Sequence, residues 1–582
     1  MRPTAVHTTC LALVLLAGAA CASDYPTNVT HWLPLDADGW SILTTSVDSR
    51  VVHVSSSTGN DSTGDGSVGK PYATVSKGMS RLRYGSPDWL LLKKGDVWYE
   101  SLGHCKVYGR SQTEPLVITS YGSGPRPLLK TGSQQAVRVD GGSGGHPQRS
   151  NIAIVGLHFV SHHRDPDDPA FNAYEGWHGV SWLMPSTNVL VEDCCFAFYK
   201  DNIVFQSTAL RLKDIAVRRN ISVDSYCTNG HAQGIYCTHV NGLLIEENYF
   251  DHNGWHDYLP GAQGTIYNHD LYIQTECRNV MVRNNIISRG ASHGCQLRPG
   301  GVLADNLIIR CGMAAFAGGK DRDCDYTYIV GNVVMDGADI NSSTPRGHGL
   351  QPMPADILTI VEGNIVANER PAFGNGCAIF PTSDSSARYR IRYNTAYNWK
   401  CGNGGLLQIN ASYADIEARN NLLQDTTHGA KVVEHNGALG TIEFDQQIYY
   451  TTRAASQWFE INSSDRSLAQ WQSQTADTNS LAMQVAFRDP TRSVEAYNAV
   501  LGGTNTYDAF MAKCRAQSKE TWDTNYAPQT VIAWLREGFR PLESLGPEQI
   551  GAVWPPVPEP FGGIAAVCAL LVAARRRVIS NQ

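Results

Sequence analysis

Eight asparagines, Asn220, Asn248, Asn285, Asn306, Asn332, Asn364, Asn394 and Asn421, sit in one recurring phrase. The phrase is an apolar-alternating stretch, a polar pair and a second short apolar stretch, as in "LLIEENYFD", "VMVRNNIIS", "TIVEGNIVA" and "IEARNNLLQ". "VLVEDCCFA" places Cys194 in the same slot, and "IAIVGLHFV" places Leu157 there. From Cys194 to Asn421 the mean step is about 28 residues. A unit of this size cannot bury its apolar side alone, so copies must stack. Each phrase reads as two short strands bent at the asparagine. That asparagine is expected to adopt the left-handed backbone of the bend and to hydrogen-bond with the next rung's asparagine. Rungs then pair in parallel at roughly 4.8 Å, with alternate side chains pointing inward. The pattern predicts an all-β parallel β-helix solenoid. A leucine-rich repeat would need an L-x-x-L-x-L consensus, and a propeller would need longer four-stranded units.

The coil is expected over residues 51–450. Its entry, "VVHVSSSTGNDSTGDGSVGKPYATVSKGM", reads as a strand, a Gly/Ser/Asp turn and a capping helix near Tyr72 to Leu82. A helix there shields an open sheet edge. "GDGSVGKP" falls short of a phosphate loop, because Pro71 stands where Ser or Thr is required. Long steps after Asn248 and Asn332 leave room for loops, and "DHNGWHDYLPGAQGTIYNHD" places aromatic residues beside three histidines. From Thr451 the spacing turns helical in "SLAQWQSQTADTNS", "TYDAFMAKCRAQSKETW" and "QTVIAWLREGF", defining a C-terminal region over 451–550.

Residues 1–22 have the form of a secretory signal: Arg2, the apolar run "CLALVLLAGAA" and an A-x-A-type site at Ala20 to Ala22. Lipoprotein processing at Cys21 fits less well, since Gly18 stands where a leucine is usual. Residues 23–50 form a leader. Residues 551–582 hold a Pro-rich linker, Val557-Pro558-Glu559-Pro560, an apolar run from Phe561 to Ala574 and Arg575 to Arg577. Fourteen residues are short for a stable span. This ordered triplet resembles the PEP-CTERM sorting signal, which implies transient membrane contact, an exosortase-type partner, and export to the periplasm, surface or matrix of a Gram-negative-type bacterium. A net charge of −7 argues against nucleic acid as partner. Export permits disulfides, and Cys311–Cys324 and Cys227–Cys237 are spaced to close loops. No CxxC pair signals structural zinc.

Together, "VHVSSSTGNDSTGDGSVGKPYATVSKGM", "LLLKKGDVW" and the asparagine ladder resemble the secreted right-handed parallel β-helix proteins of the pectate-lyase-like superfamily, over roughly Val51 to Tyr450. The resemblance implies an extracellular acidic polysaccharide as substrate, cleaved by β-elimination or hydrolysis, although some members only bind; a fold does not settle function. A monomer is expected.

A second ladder precedes the asparagines by about 15 residues. "WHGVSW", "HAQGIY", "HDLYI", "SHGCQL" and "GHGLQ" place His178, His231, His269, His293 and His348 near the start of one strand on successive or nearby rungs. Tyr236, Tyr272 and Asp270 are expected on the same outer face. Histidines and aromatics in a row suit sugar stacking and hydrogen bonding, and histidine also suits proton transfer; side-chain ladders of this kind equally serve as structure. Arg298 is the leading cation, since guanidinium binds a carboxylate in bidentate fashion. "DLYIQTECRNVMVRNNIISRGASHGCQLRPGG" is similar in layout to alginate-lyase and chondroitinase-B-like β-helix lyases, which implies an acidic role for Asp270 and a carboxylate-binding turn at Arg298. Thr275 stands where those proteins carry a lysine base, so His231, His269, His293 or Lys320 would have to act as base. His178, Tyr236, Tyr272 and His348 are the expected substrate-binding residues. Hydrolysis is the alternative, with Asp270 and Asp321 as the carboxylate pair and "RGHG" (Arg346 to Gly349) resembling a pectin-hydrolase motif. Glycan binding without catalysis is the other. Ca²⁺ fits oxygen ligands in such a groove, but spacing does not fix a site.

Overall fold

The computed structural model describes residues 29–542, apart from 141–147, 173–175, 321–323, 338–346, 369–375, 383, 403, 411–412 and 440–441. The signal segment and the sorting tail lie outside the described residues, as do Asp321 and Arg346. The chain is a parallel β-helix. Successive strands of each rung go to three different sheets. The first sheet has fourteen described strands, from Val51–Val54 to Ile442–Asp445. The second has nine, from Gly103–His104 to His348–Pro352, and the third has fourteen, from Val97–Trp98 to Leu481–Ala482. Single bridges Leu350–Ile379 and Ile379–Leu407 carry the second face on into a four-stranded sheet beginning at Gly405–Asn410.

Period-2 alternation in the sequence becomes columns in the coil. Val189, Ile215, Leu243 and Val280 lie level in adjacent rungs, and all four are buried. Each such side chain contributes roughly 1.5–3 kcal/mol on burial. β-branched residues dominate these columns because they pack well on a pleated surface.

The asparagine ladder is continuous. Asn285 donates from its backbone N to Asn306 Oδ1 at 3.0 Å and from Nδ2 to the same oxygen at 2.9 Å. Asn306 repeats the pattern onto Asn332, and so on to Asn421. Cys194 joins at one end through its backbone N, and Gln447 closes the other, accepting from Asn421. One expectation is corrected. The left-handed residue is not the asparagine but the residue before it: Arg219, Glu247, Asn284, Asp305, Gly331, Gly363, Tyr393 and Asn420 all have φ between 51° and 64°. The asparagine side chain is then free to span the rungs. Three-residue strands follow, ending at a second left-handed residue such as Asp224, His252, Arg289 or Arg310.

The capping helix is Val75–Met79, with Thr74 as N-cap accepting from Lys77 N. The coil runs beyond residue 450, since Ile448–Thr451 pairs with Leu481–Ala482. Helices Val494–Val500, Tyr507–Arg515 and Pro528–Gly538 do not close the end of the coil. Phe510, Val531 and Leu535 join one apolar cluster with Tyr249, Ile286, Leu307 and Val333 of the third sheet. Arg515 pins them there by pairing with Asp224 and Asp251, both at 2.6 Å. The leader covers the first sheet, with Trp32 and Leu33 clustered against Val117, Leu190 and Leu244. Neither expected disulfide forms: Cys311, Cys324 and Cys237 are free thiols. Cys311 is turned toward Asp270, and Cys324 toward the Tyr326 carbonyl.

Candidate functional site

With part of the first sheet under the leader and part of the third under the C-terminal helices, the second sheet presents a groove of about 730 Å³ on its outer face. Strand pairing builds it from columns. Asp201, Gln233, His269, His293, Met313 and His348 lie level with one another. Three residues on, Val204, Tyr236, Tyr272, Gln296 and Phe316 form a second column. Gln206, Gln274 and Arg298 stand at the far edge. Neighbours within a column are one rung, roughly 4.8 Å, apart.

Between the two columns the strands turn two consecutive residues inward. Asp270 and Leu271 are both fully buried. Small residues fill most of the equivalent positions, and a Cβ on Gly294 would meet Ile308 at 2.6 Å. At this position Asp270 is turned into the coil, where its Oδ1 accepts from Asn253 Nδ2 at 2.9 Å. Burial pushes its carboxyl well above the usual range. This corrects its expected place on the outer face: Asp270 does not line the groove. Lys320 does not line it either. Its Nζ pairs with both oxygens of Asp384 at 2.8 Å, and this contact holds the Asp384 carboxyl down at about 2. His348 shares the histidine column but stands two rungs past His293, with Nδ1 3.2 Å from Cys377 Sγ.

The groove gathers His178, His231, Tyr236, His269, Tyr272, His293 and Arg298. His178 lies level with the histidine column, and its Nδ1 is 2.9 Å from Asp201 Oδ2. His231 is set back by two residues and stacks on Tyr267, ring centroids 5.0 Å apart and planes at 18°. His269 and His293 face each other with Nδ1 atoms 3.2 Å apart. The backbone N of His293 also donates to His269 Nδ1, at 3.4 Å. In this contact one Nδ1 donates and the other accepts, and Ser292 Oγ also lies 3.1 Å from His293 Nδ1. Arg298 Nη1 donates to Tyr272 Oη at 3.0 Å and to Gln274 Oε1 at 3.4 Å. Tyr236 packs edge-on to Tyr272, and burial raises its hydroxyl above the ordinary range.

Several lining residues escaped the sequence reading. Lys200 and Asp201 open the strand that precedes Gln233 by one rung, and Asp201 occupies the histidine column. The signal was their position: counting rungs from the Cys194 slot puts "YKD" level with "HAQ". Gln233 holds the column together, accepting from His269 N and donating to Tyr267 O. Tyr267 and Trp177 are more than half exposed, and Tyr267 lies on the rim of the groove. Among the described residues, neither Lys200 nor Arg298 has a carboxylate within ion-pairing distance, and Asp201 is the one carboxylate lining the groove. No cluster of three His, Cys, Asp or Glu side chains suited to a metal ion occurs among the described residues.

No protein-family model and no curated sequence matches the chain. Solved structures with a related trace include a GH136 lacto-N-biosidase from Eubacterium ramulus, at 15% identity, covering 75% of this chain and 67% of that one, with a TM-score of 0.30. An alginate lyase from Paenibacillus sp. matches at 13% identity over 57% of this chain and 98% of its own, TM-score 0.35. A PL6 family alginate lyase matches at 12% identity over 72% and 59%, TM-score 0.39.

Proposed function

We propose that the groove binds an acidic polysaccharide and cleaves it by β-elimination. The observation that carries this reading is the charge pattern of the lining. Lys200 and Arg298 bear positive charge with no carboxylate partner among the described residues, three rungs or roughly 14 Å apart along the coil. Histidines and tyrosines fill the space between them. A polyanion lying along the coil axis meets a cation at each end and stacking surfaces between.

In this reading Arg298 pairs with the carboxylate of a uronate and stabilises the charge that develops there. The His269–His293 pair on the groove wall supplies the base that removes the proton on the carbon next to that carboxylate. The electron pair forms a C4=C5 double bond as the C4–O bond breaks. Tyr272, whose oxygen already accepts from Arg298, donates its O–H proton to the departing oxygen. Hydrolysis is less well supported, because it needs two carboxylates flanking the bond and Asp201 alone is present among the described lining residues. Export through an N-terminal signal and a PEP-CTERM-type tail would place the protein where such polymers lie. Ca²⁺ enters no step.

The test is incubation with alginate, polygalacturonate and chondroitin sulfate. Elimination yields ultraviolet absorbance from the new double bond conjugated to the carboxylate. Reducing ends without that absorbance mean hydrolysis, and binding with neither leaves a glycan-binding protein.

A further inference from the structure

We infer that the polymer does not end at Arg298 but continues around the edge of the coil onto a second sugar subsite built on Tyr326 and Tyr328. This rests on the acidic-polysaccharide reading above and extends it. The groove closes at Arg298. The next residues, Pro299, Gly300 and Gly301, turn the chain from the second sheet to the first. On the far side of that turn lies a separate hollow of about 260 Å³. Pro299 to Val302 form one wall, and Tyr326, Tyr328, Arg278 and Asp325 stand around it.

The hollow has the chemistry of a sugar site rather than of an ion site. Tyr326 and Tyr328 are two residues apart on one strand, so both rings stand on the outer face. Their centroids are 6.2 Å apart and their planes differ by 30°, which makes a broad aromatic surface. Tyr326 is 37% exposed, so its ring is open to a ligand. Aromatic rings take the C–H face of a pyranose, while a guanidinium and a carboxylate together take its hydroxyls. Arg278 is fixed for this task by donating to the Thr275 and Cys277 carbonyls at 2.9 and 2.8 Å.

The glycines keep the hollow open. Gly300 and Gly301 have φ of 75° and 105°. A Cβ on Gly301 would meet the Val280 carbonyl at 2.4 Å, and one on Gly300 would meet Cys324 Sγ and Thr327 Oγ1 at 2.6 Å. The turn therefore passes close to the body of the coil where it separates groove from hollow. One Arg against one Asp gives the hollow no net charge, unlike the groove. It suits the uncharged face of a sugar on the same chain, not a second grip on a carboxylate.

The experiment compares wild-type protein with the double variant Tyr326→Ala/Tyr328→Ala and with Arg298→Ala. Binding and cleavage are followed separately on whichever of alginate, polygalacturonate and chondroitin sulfate the wild type binds, and on its disaccharide. Thermal unfolding confirms that each variant is folded. The double variant is expected to bind the polymer about tenfold more weakly, to bind the disaccharide as wild type does, and to keep its turnover at saturating polymer. Unchanged polymer affinity overturns the second subsite while leaving the groove intact. Equal loss on polymer and disaccharide also overturns it, since the tyrosines would then act through the groove. If the wild type binds no acidic polymer, both readings fall. If Arg298→Ala still cleaves while the tyrosine variant loses polymer affinity, the groove mechanism fails and the subsite stands.

Discussion

Arg298 Nη1 lies 3.0 Å from Tyr272 Oη, and the two side chains reach this contact from adjacent rungs. The guanidinium is thereby held at a fixed angle with its charge turned to the groove. Replacing Arg298 by Lys keeps the charge but loses the planar fork, so carboxylate binding becomes monodentate. Cleavage by Arg298→Lys is expected to fall about 100-fold, and Arg298→Ala should fall further. Steady-state rates on the preferred polymer measure this. A lysine variant with wild-type rates would remove Arg298 from the mechanism.

His293 and Asp270 make a paired test of which side of the strand faces substrate. His293 belongs to the groove wall, although the residue is only 2% exposed, whereas Asp270, on the neighbouring rung, is turned inside the coil and does not line the groove. Loss of a general base costs about 10²- to 10⁴-fold, so His293→Ala should be nearly inactive. Asp270→Asn preserves shape and still accepts from Asn253. Burial pushes the Asp270 carboxyl well above its usual range, toward the uncharged acid that asparagine mimics. Its rate is expected to stay within about threefold of wild type. The reverse ranking of the two variants would mean that the carboxyl reaches the substrate after all.

The coil was legible because its determinants are local and repeated. Period-2 alternation and the recurring asparagine specify strand, bend and stacking without any long-range information. The position of the left-handed bend was not legible, since Arg219, Glu247, Asp305, Gly331 and Tyr393 occupy it and no residue type marks it. The histidine column could be read from spacing, but His231 was placed two residues out of register because its strand begins at Gln233. Asp270 was misplaced for a different reason. Its inward turn comes from two consecutive residues, Asp270 and Leu271, both facing the interior, which simple alternation does not encode. Lys320 meets Asp384, 64 residues away, so its partner could not be inferred from its surroundings in sequence.

Within the ladder, Asn306 carries more bonds than one residue usually does. Its two Nδ2 hydrogens are shared among the Val282 and Ala304 carbonyls and Asn332 Oδ1, and its Oδ1 accepts twice from Asn285. Asn306→Ala strands several buried polar groups at once. The expected loss is about 3 kcal/mol in urea unfolding. Asn306→Asp removes the donors but keeps the acceptor, and adds a buried charge, so it should be no better than alanine. A loss under about 1 kcal/mol for alanine would show that the rungs close up around the gap.

Glu246 lies beneath the leader, within 2.8–3.2 Å of Arg218, Arg283 and His31. Burial by itself would raise its carboxyl, but Arg218, Arg283 and His31 outweigh that and hold it at about 2. An unfolded glutamate titrates near 4.3. Between these values the unfolded chain binds a proton that the native protein does not, so stability falls as the solution is acidified. The contribution is complete above about pH 5 and fades as pH drops toward 2, amounting to about 3 kcal/mol in all. Glu246→Gln cannot titrate. The stability gap between wild type and Glu246→Gln, from urea midpoints, should be widest near pH 6 and shrink steadily below pH 4. A gap that stays constant across this range would show that the ion pairs do not hold the leader to the coil.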